Sequence, residues 1–266
     1  MLHVPESPRS TTSSFSGLSS SPPMLHADTL ALLESFLSSK AEEEKRFNEL
    51  AEQAAARVAG LALNLHFEDE QDPPMMTVDE YRLAFSEDWQ LSQFWYTTAF
   101  ATRLAKHVRS LCTPSSTVAF MCCPTAFVAF QHTNPLEGAK LLEYDGRFTV
   151  LAPHKFVHYD LNEPDTFPES LRGTVDLVII DPPFLNEPTN AGLVQTTRQI
   201  LHPQRGKLLL LTGTSTEPIL DRLYDKSPVG PLRRTSLEVE HGGLANEFAC
   251  WGSWDGAEDF GKDDSE

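Results

Sequence analysis

The sequence is short of positive charge, of paired cysteines and of long apolar runs, and each shortage removes a class of function. Lys and Arg number 21 against 38 Asp and Glu, for a formal charge of −17. Such a chain repels phosphate backbones, whose recognition rests on basic clusters and counterion release. No nucleic-acid partner is expected, and a basic protein partner suits the balance. The four cysteines, Cys112, Cys122, Cys123 and Cys250, fall in no C-x-x-C pair, and two are adjacent in an apolar run, where successive side chains face opposite ways. Reduced, buried thiols are expected rather than disulfides or a metal site. No run approaches the roughly 20 apolar residues of a membrane span. The Ser/Pro-rich start has no apolar h-region of a secretory signal, so a cytoplasmic protein is expected.

What is present suffices for one main domain with appendages: 266 residues, of which 40% are hydrophobic. Residues 1–24 are dense in Ser and Pro and offer little apolar surface to offset ordering entropy, so they are expected to be disordered. Residues 25–77 form a helical extension and an acidic, Pro-containing linker. From Asp28 to about Leu63 the composition turns to Ala, Leu and Glu, and Phe47, Leu50, Ala54, Val58 and Leu61 keep helical spacing. One long helix or a helix pair is predicted, serving either as a packing spacer or as a partner surface. "HFEDEQDPPMMTVDEY" then reads as a loop. The main domain is placed at 78–254, and 255–266, "DGAEDFGKDDSE", as a solvated acidic tail.

Within the domain, short apolar runs alternate with segments able to form helices. Strands are predicted at Thr117–Cys123, Leu141–Asp145, Phe156–Asp160, Asp176–Asp181, Lys207–Thr212, Ser236–Glu240 and Glu247–Trp254. "DLVIID" and "KLLLLT" are nearly continuous in apolar residues, as central parallel strands covered on both faces must be. The alternation predicts an α/β, doubly wound sheet. Arg233 and Arg234, just before the sixth strand, read as a surface turn.

In such a sheet, ligands bind beyond the carboxyl ends of the strands. Three of the first four runs end on acids. A carboxylate after the second strand can accept hydrogen bonds from both hydroxyls of a ribose, and Glu143 is the better candidate, Asp145 the second. Asp160, after the third, can accept from an adenine amine. A G-x-G-x-x-G turn is missing after the first strand, where Cys123, Pro124 and Thr125 stand instead. Hydride chemistry on a dinucleotide loses most of its support.

The fourth run ends in D-P-P-F, Asp181 to Phe184. Because proline cannot donate, this turn offers a carboxylate and free carbonyls, which are acceptors without donors. Such a set suits an amine. A nitrogen held by Asp181 and the Pro182 carbonyl directs its lone pair away from them, toward an electrophile, while Pro183 stiffens the turn and Phe184 supplies a ring for stacking.

These residues carry a resemblance. D-P-P-F at the fourth strand is similar to the amino-group methyltransferase motif of the class I, S-adenosylmethionine-dependent fold. "EDWQLSQFWY", "LLEYDGRF", "DLVIIDPPFLNEPT", "GKLLLLTGT" and "LANEFACW", in this order, resemble the elongation factor 1-alpha lysine N-methyltransferase family, formerly labelled N6-adenine DNA methyltransferases because of D-P-P-F. The resemblance runs from about Leu25 to Trp254. It implies a Rossmann-like sheet of seven strands with a reversed last strand, S-adenosyl-L-methionine as cofactor, and a lysine ε-amine of translation elongation factor 1-alpha as acceptor. By the same resemblance, Asp181, Pro182, Pro183 and Phe184 hold the amine, and Cys123, Pro124, Glu143 and Asp160 line the cofactor. Trp95 and Tyr96 close over it, and Asn246 and Glu247 face the substrate.

A nucleobase amine is the rival acceptor. It is already neutral, whereas a free lysine, with a pKa of about 10.4, must first lose a proton. A third reading, a non-catalytic binding module, has the intact D-P-P-F against it.

Overall fold

The computed structural model describes residues 27–63, 75–244 and 246–262, which divide into a unit up to Ala41 and a second from Glu42 onward. The Ser/Pro-rich start, most of the acidic linker and the last four residues lie outside the described residues, as do the side chains of Ala54, Val58 and Leu61. Helix α1 spans Ala27–Leu63, without a Gly or Pro before Gly60 and rich in the strong helix formers Ala, Leu, Glu and Lys. In the second unit its Phe47 and Leu50 pack on the core, Arg46 donates to the Leu83 carbonyl at 3.2 Å, and Glu43 accepts from the Ser86 amide at 2.9 Å.

The sheet has seven strands: β1 (Val118–Met121), β2 (Ala139–Glu143), β3 (Phe156–His158), β4 (Leu177–Ile180), β5 (Lys207–Gly213), β6 (Arg233–Arg234) and β7 (Phe248–Gly252), in the order 3-2-1-4-5-7-6. The first five are parallel, and β7 runs antiparallel between β5 and β6. Side chains alternate across the sheet with a period of two. Val118, Phe120, Leu177, Ile179, Leu209 and Leu211 enter one core. Ala119, Met121, Val178, Ile180, Leu208 and Leu210 enter the other. Helices α2 (Val78–Ala84), α3 (Thr98–Ser110) and α4 (Pro124–Thr133) cover the first face, whereas α5 (Glu187–Ile200) and α6 (Glu217–Leu223) cover the second. Burial on both faces is why β4 and β5 lack any polar alternation.

The start of this domain is set by local chemistry. Thr77 caps α2, accepting from the Glu80 amide while Glu80 accepts from the Thr77 amide, a reciprocal capping box. The helix then buries Tyr81, which with Phe85, Trp95 and Phe148 makes an aromatic cluster with ring centroids 5.1–6.0 Å apart.

Two expectations are corrected. The sixth strand is not Ser236–Glu240 but the arginine pair read as a surface turn. Arg233 and Arg234 pair with Gly252 and Trp251, and charged side chains at a sheet edge discourage further strand addition. Arg233 bonds Asp255 at 2.6 Å and Glu258 at 3.3 Å, which pins the short edge. Residues 236–240 instead leave the sheet, Leu237 turning into the core and Glu240 running beside Thr97. The acidic end also folds onto the body as far as Lys262. Phe260, 7% exposed, packs on Trp254 and His107 with centroids 5.7 and 5.5 Å away. One aromatic ring among the acids supplies the apolar area that anchors them.

Candidate active site

The carboxyl ends of β1, β2 and β4 come to one edge, and a cleft opens there between those ends and the strap of residues 91–96. Its wall brings together Glu143, Asp160, Cys123, Pro124, Tyr96 and the whole Asp181–Phe184 turn. No Lys or Arg lies on that wall among the described residues.

At the end of β1 the chain turns sharply. Cys122 has φ +57°, the left-handed backbone a glycine would ordinarily supply, and Cys123 then caps α4 with Pro124 at its first turn. The glycine-free sequence therefore still makes a tight strand-to-helix turn at the cleft. Burial pushes the Cys123 thiol up, so it stays neutral, and its Sγ donates to the Ile179 carbonyl at 3.5 Å.

Glu143 is the last residue of β2 and is 7% exposed. Its Oε1 accepts from the Tyr144 and Asp145 amides at 3.0 and 3.3 Å, and Oε2 has no hydrogen-bond partner among the described residues. Burial pushes its pKa up to about 7, only partly opposed by those two amides, with the Asp145 and Asp181 charges adding to the rise. A buried carboxylate with one open oxygen on a cleft wall is suited to hydroxyl donors. Asp145, the second candidate, is not brought to the cleft. It accepts from Gln93 at 3.0 Å and from Arg147 at 2.7 and 2.9 Å, and although burial alone would raise it, these donors hold its carboxyl below the usual range. That network ties the strap to the turn after β2.

Asp160 lines the cleft with Oδ1 taken by the amide and side chain of Asn162 at 2.8 and 2.9 Å, leaving Oδ2 open. Trp95 also borders the cleft, yet its ring is a core ring: it is 3% exposed, and Nε1 donates to the Phe85 carbonyl at 2.8 Å. Asn246 lies on the wall, whereas Glu247 is exposed and is not on it.

At the other end stands Asp181, directly after β4, its side chain 16% exposed. Tyr96 donates its hydroxyl to Asp181 Oδ2 at 2.6 Å. Burial first, and the Asp181 charge second, raise the Tyr96 phenol well above its ordinary value, so it remains a donor. Pro182 is buried, and Phe184 is 44% exposed at the mouth.

His241 is the residue the sequence reasoning missed. Its Nε2 lies 3.8 Å from Asp181 Oδ2, and its ring sits between Tyr96 and Phe248 with centroids 4.8 and 4.4 Å away. The strap places it there, because Thr97 donates to the Glu240 carbonyl and Gly242 to the Trp95 carbonyl. "EHGGLANEF" reads locally as a turn, and a lone His between Glu and Gly carries no signal of that crossing.

A sheet ordered 3-2-1-4-5-7-6 with an antiparallel seventh strand, and a D-P-P-F turn after β4, define an S-adenosylmethionine-dependent methyltransferase. A protein-family model described as "Probable N6-adenine methyltransferase" matches residues 87–256. The chain is 30% identical to "Protein-lysine N-methyltransferase EFM5" of Saccharomyces cerevisiae, covering 87% of this chain and 92% of that protein. It is also 30% identical to "Protein-lysine N-methyltransferase M142.8" of Caenorhabditis elegans, over 87% and 94%. With human "EEF1A lysine methyltransferase 1" it shares 31% identity over 69% of this chain and 83% of the relative. The chain belongs to this family of protein-lysine N-methyltransferases.

Proposed function

We propose that the cleft binds S-adenosylmethionine between Glu143 and Asp181 and that the enzyme methylates a lysine ε-amine of translation elongation factor 1-alpha. Several relatives carry that factor in their names, among them the human, mouse and zebrafish proteins. When bound, S-adenosylmethionine supplies a methyl group on a positively charged sulfur. Glu143 holds the ribose hydroxyls through its open Oε2, Asp160 takes the adenine amine through Oδ2, and the Cys123–Pro124 turn forms the wall between them.

The observation that carries the reading is the acceptor end. Asp181 is fixed on one oxygen by Tyr96, its other oxygen has no partner among the described residues, and two prolines follow that cannot donate. An amine bound there meets acceptors only, so its hydrogens are held and its remaining valence faces the cleft. Tyr96 keeps the carboxylate from rotating, which is the positioning that a direct transfer between two bound groups depends on. Phe184 at the mouth covers the apolar stem of the entering lysine.

A cleft wall that carries carboxylates and, among the described residues, no Lys or Arg favours an entering cation over a polyphosphate strand. This supports lysine over a nucleobase despite the wording of the family description. A cytoplasmic location belongs to the same proposal. Incubation with purified elongation factor 1-alpha and S-adenosylmethionine, followed by mass spectrometry of its peptides, tests the reading. Methyl-lysine that appears with the enzyme and not with Asp181→Ala is expected. An unmodified factor overturns the substrate.

A further inference from the structure

The reading above leaves a proton unaccounted for, since the ε-ammonium of lysine has no lone pair to attack with. We propose that His241 is the proton acceptor of the transfer site, taking one proton from the substrate ammonium before the methyl group moves.

Geometry supports this from three sides. His241 is on the cleft wall, its side chain is only 4% exposed, and its ring makes no hydrogen bond among the described residues. Neither ring nitrogen is among the sealed, unpartnered polar atoms of the described residues, so the imidazole is open to what enters the cleft and committed to no other group. Its Nε2 also faces the same carboxylate that faces the amine. The 3.8 Å separation from Asp181 Oδ2 is too long for a hydrogen bond, so the two groups stand side by side on the cleft wall, both open to the same entering cation. Finally, Tyr96 and Phe248 hold the ring from either side, so its orientation is set before substrate arrives.

Asp181 alone is poorly matched to the task. Its Oδ2 already accepts from Tyr96, and its part in the site is to hold the cation, while Glu143 on the same wall is assigned to the ribose. Imidazole is the side chain whose ordinary two forms interchange near neutral pH. The division of labour is then plain: Asp181 attracts the cation and His241 discharges it. In the step, one N–H bond of the ε-ammonium breaks and its electron pair stays on nitrogen. The proton forms a new bond to His241 Nε2, and the resulting imidazolium sits beside Asp181. The neutral amine would then have a lone pair to offer the methyl group that S-adenosylmethionine would supply when bound, with the carbon–sulfur electron pair staying on sulfur and a methylammonium as product. The proton on His241 passes to solvent when the cleft empties, and each further methyl requires the same loss again.

The groups that face this histidine are few. Asp181 comes from the end of β4 and Tyr96 from the strap, its phenol kept protonated by burial. The Phe248 ring of β7 does not titrate. Glu240, its neighbour in the chain, is turned to Arg103 at 2.9 Å. The Cys123 and Cys250 thiols, near Tyr96, are pushed up by burial, Cys250 to about 12, and carry no charge.

The proposal rests on lysine methylation, and the test separates the two. Single-turnover methylation of elongation factor 1-alpha is measured from pH 6.5 to 10 for the unaltered enzyme, His241→Gln and His241→Phe, with S-adenosylmethionine affinity measured by calorimetry for each. The phenylalanine variant keeps a ring between Tyr96 and Phe248 and offers no acceptor. Both variants are expected to lose roughly 100-fold in rate at pH 7 at unchanged cofactor affinity, and to recover toward the unaltered enzyme as pH approaches 10. A deficit equal at every pH would make His241 a packing residue only, and no deficit would remove it from the site. Either outcome overturns the inference while lysine methylation stands. If the unaltered enzyme itself leaves lysine unmodified, the reading of the function fails instead.

Discussion

If the proposed cleft holds the cofactor as assigned, binding should release a proton near neutral pH, with Glu143 as its source. Burial raises this carboxyl to about 7, with only two backbone amides opposing. Because the folded value lies above that of the unfolded chain, Glu143 favours the fold fully below the usual carboxylate range. That contribution, of order 3 kcal/mol, is lost as pH rises through 7. Two ribose hydroxyls that donate to the carboxylate favour its charged form, so binding pulls the value back down. At pH 7 about half of the free enzyme is protonated at Glu143, and binding should release ~0.5 proton. Affinity should tighten roughly tenfold between pH 6 and pH 8 and then level off. Calorimetry with S-adenosylmethionine in buffers of different ionisation enthalpy reads the proton directly. Glu143→Gln should abolish the buffer dependence and weaken binding by about 1–3 kcal/mol. Asp145 cannot substitute as the source, because Arg147 and Gln93 already hold it ionised. Equal heats in all buffers at pH 7, or a release that survives in Glu143→Gln, would refute the reasoning.

Two other substitutions probe separate links. Tyr96→Phe removes the hydroxyl that donates to Asp181 at 2.6 Å. It should cost roughly 10- to 100-fold in kcat, as loss of a hydrogen bond to a charged group does, with cofactor affinity unchanged in calorimetry. Phe260→Ala should release the acidic end from Trp254 and His107, lowering stability by about 3 kcal/mol in urea unfolding without altering kcat of the folded enzyme.

Legibility in the sequence followed locality. β4 and β5 could be read because strands buried on both faces need continuous apolar runs, and the Asp181 turn because an acid and two prolines at a strand end are adjacent in the chain. The place of Glu143 at the end of β2 could be read because it closes an apolar run. β6 could not: two arginines carry no apolar pattern, and their pairing with β7 is held by Asp255 and Glu258, more than 20 residues on. Residues 236–240 deceived in the opposite direction, since Leu237 and Val239 alternate as in a strand but bury themselves without a sheet partner on that stretch. Asp145 stood second to Glu143 in the sequence, and only the structure shows Arg147 and Gln93 occupying it away from the cleft. The Tyr96–Asp181–His241 cluster joins three distant segments, and only the crossing of the strap by residues 240–242 makes it a unit.

The central claim is tested most directly by offering both acceptors at once. Purified enzyme and Asp181→Ala are incubated with methyl-labelled S-adenosylmethionine, elongation factor 1-alpha and total nucleic acid in one mixture, which is then split between protease and nuclease. Label that protease releases and nuclease does not, and that Asp181→Ala fails to transfer, is the predicted result. Label released by nuclease alone, or a fully active Asp181→Ala, would contradict the account.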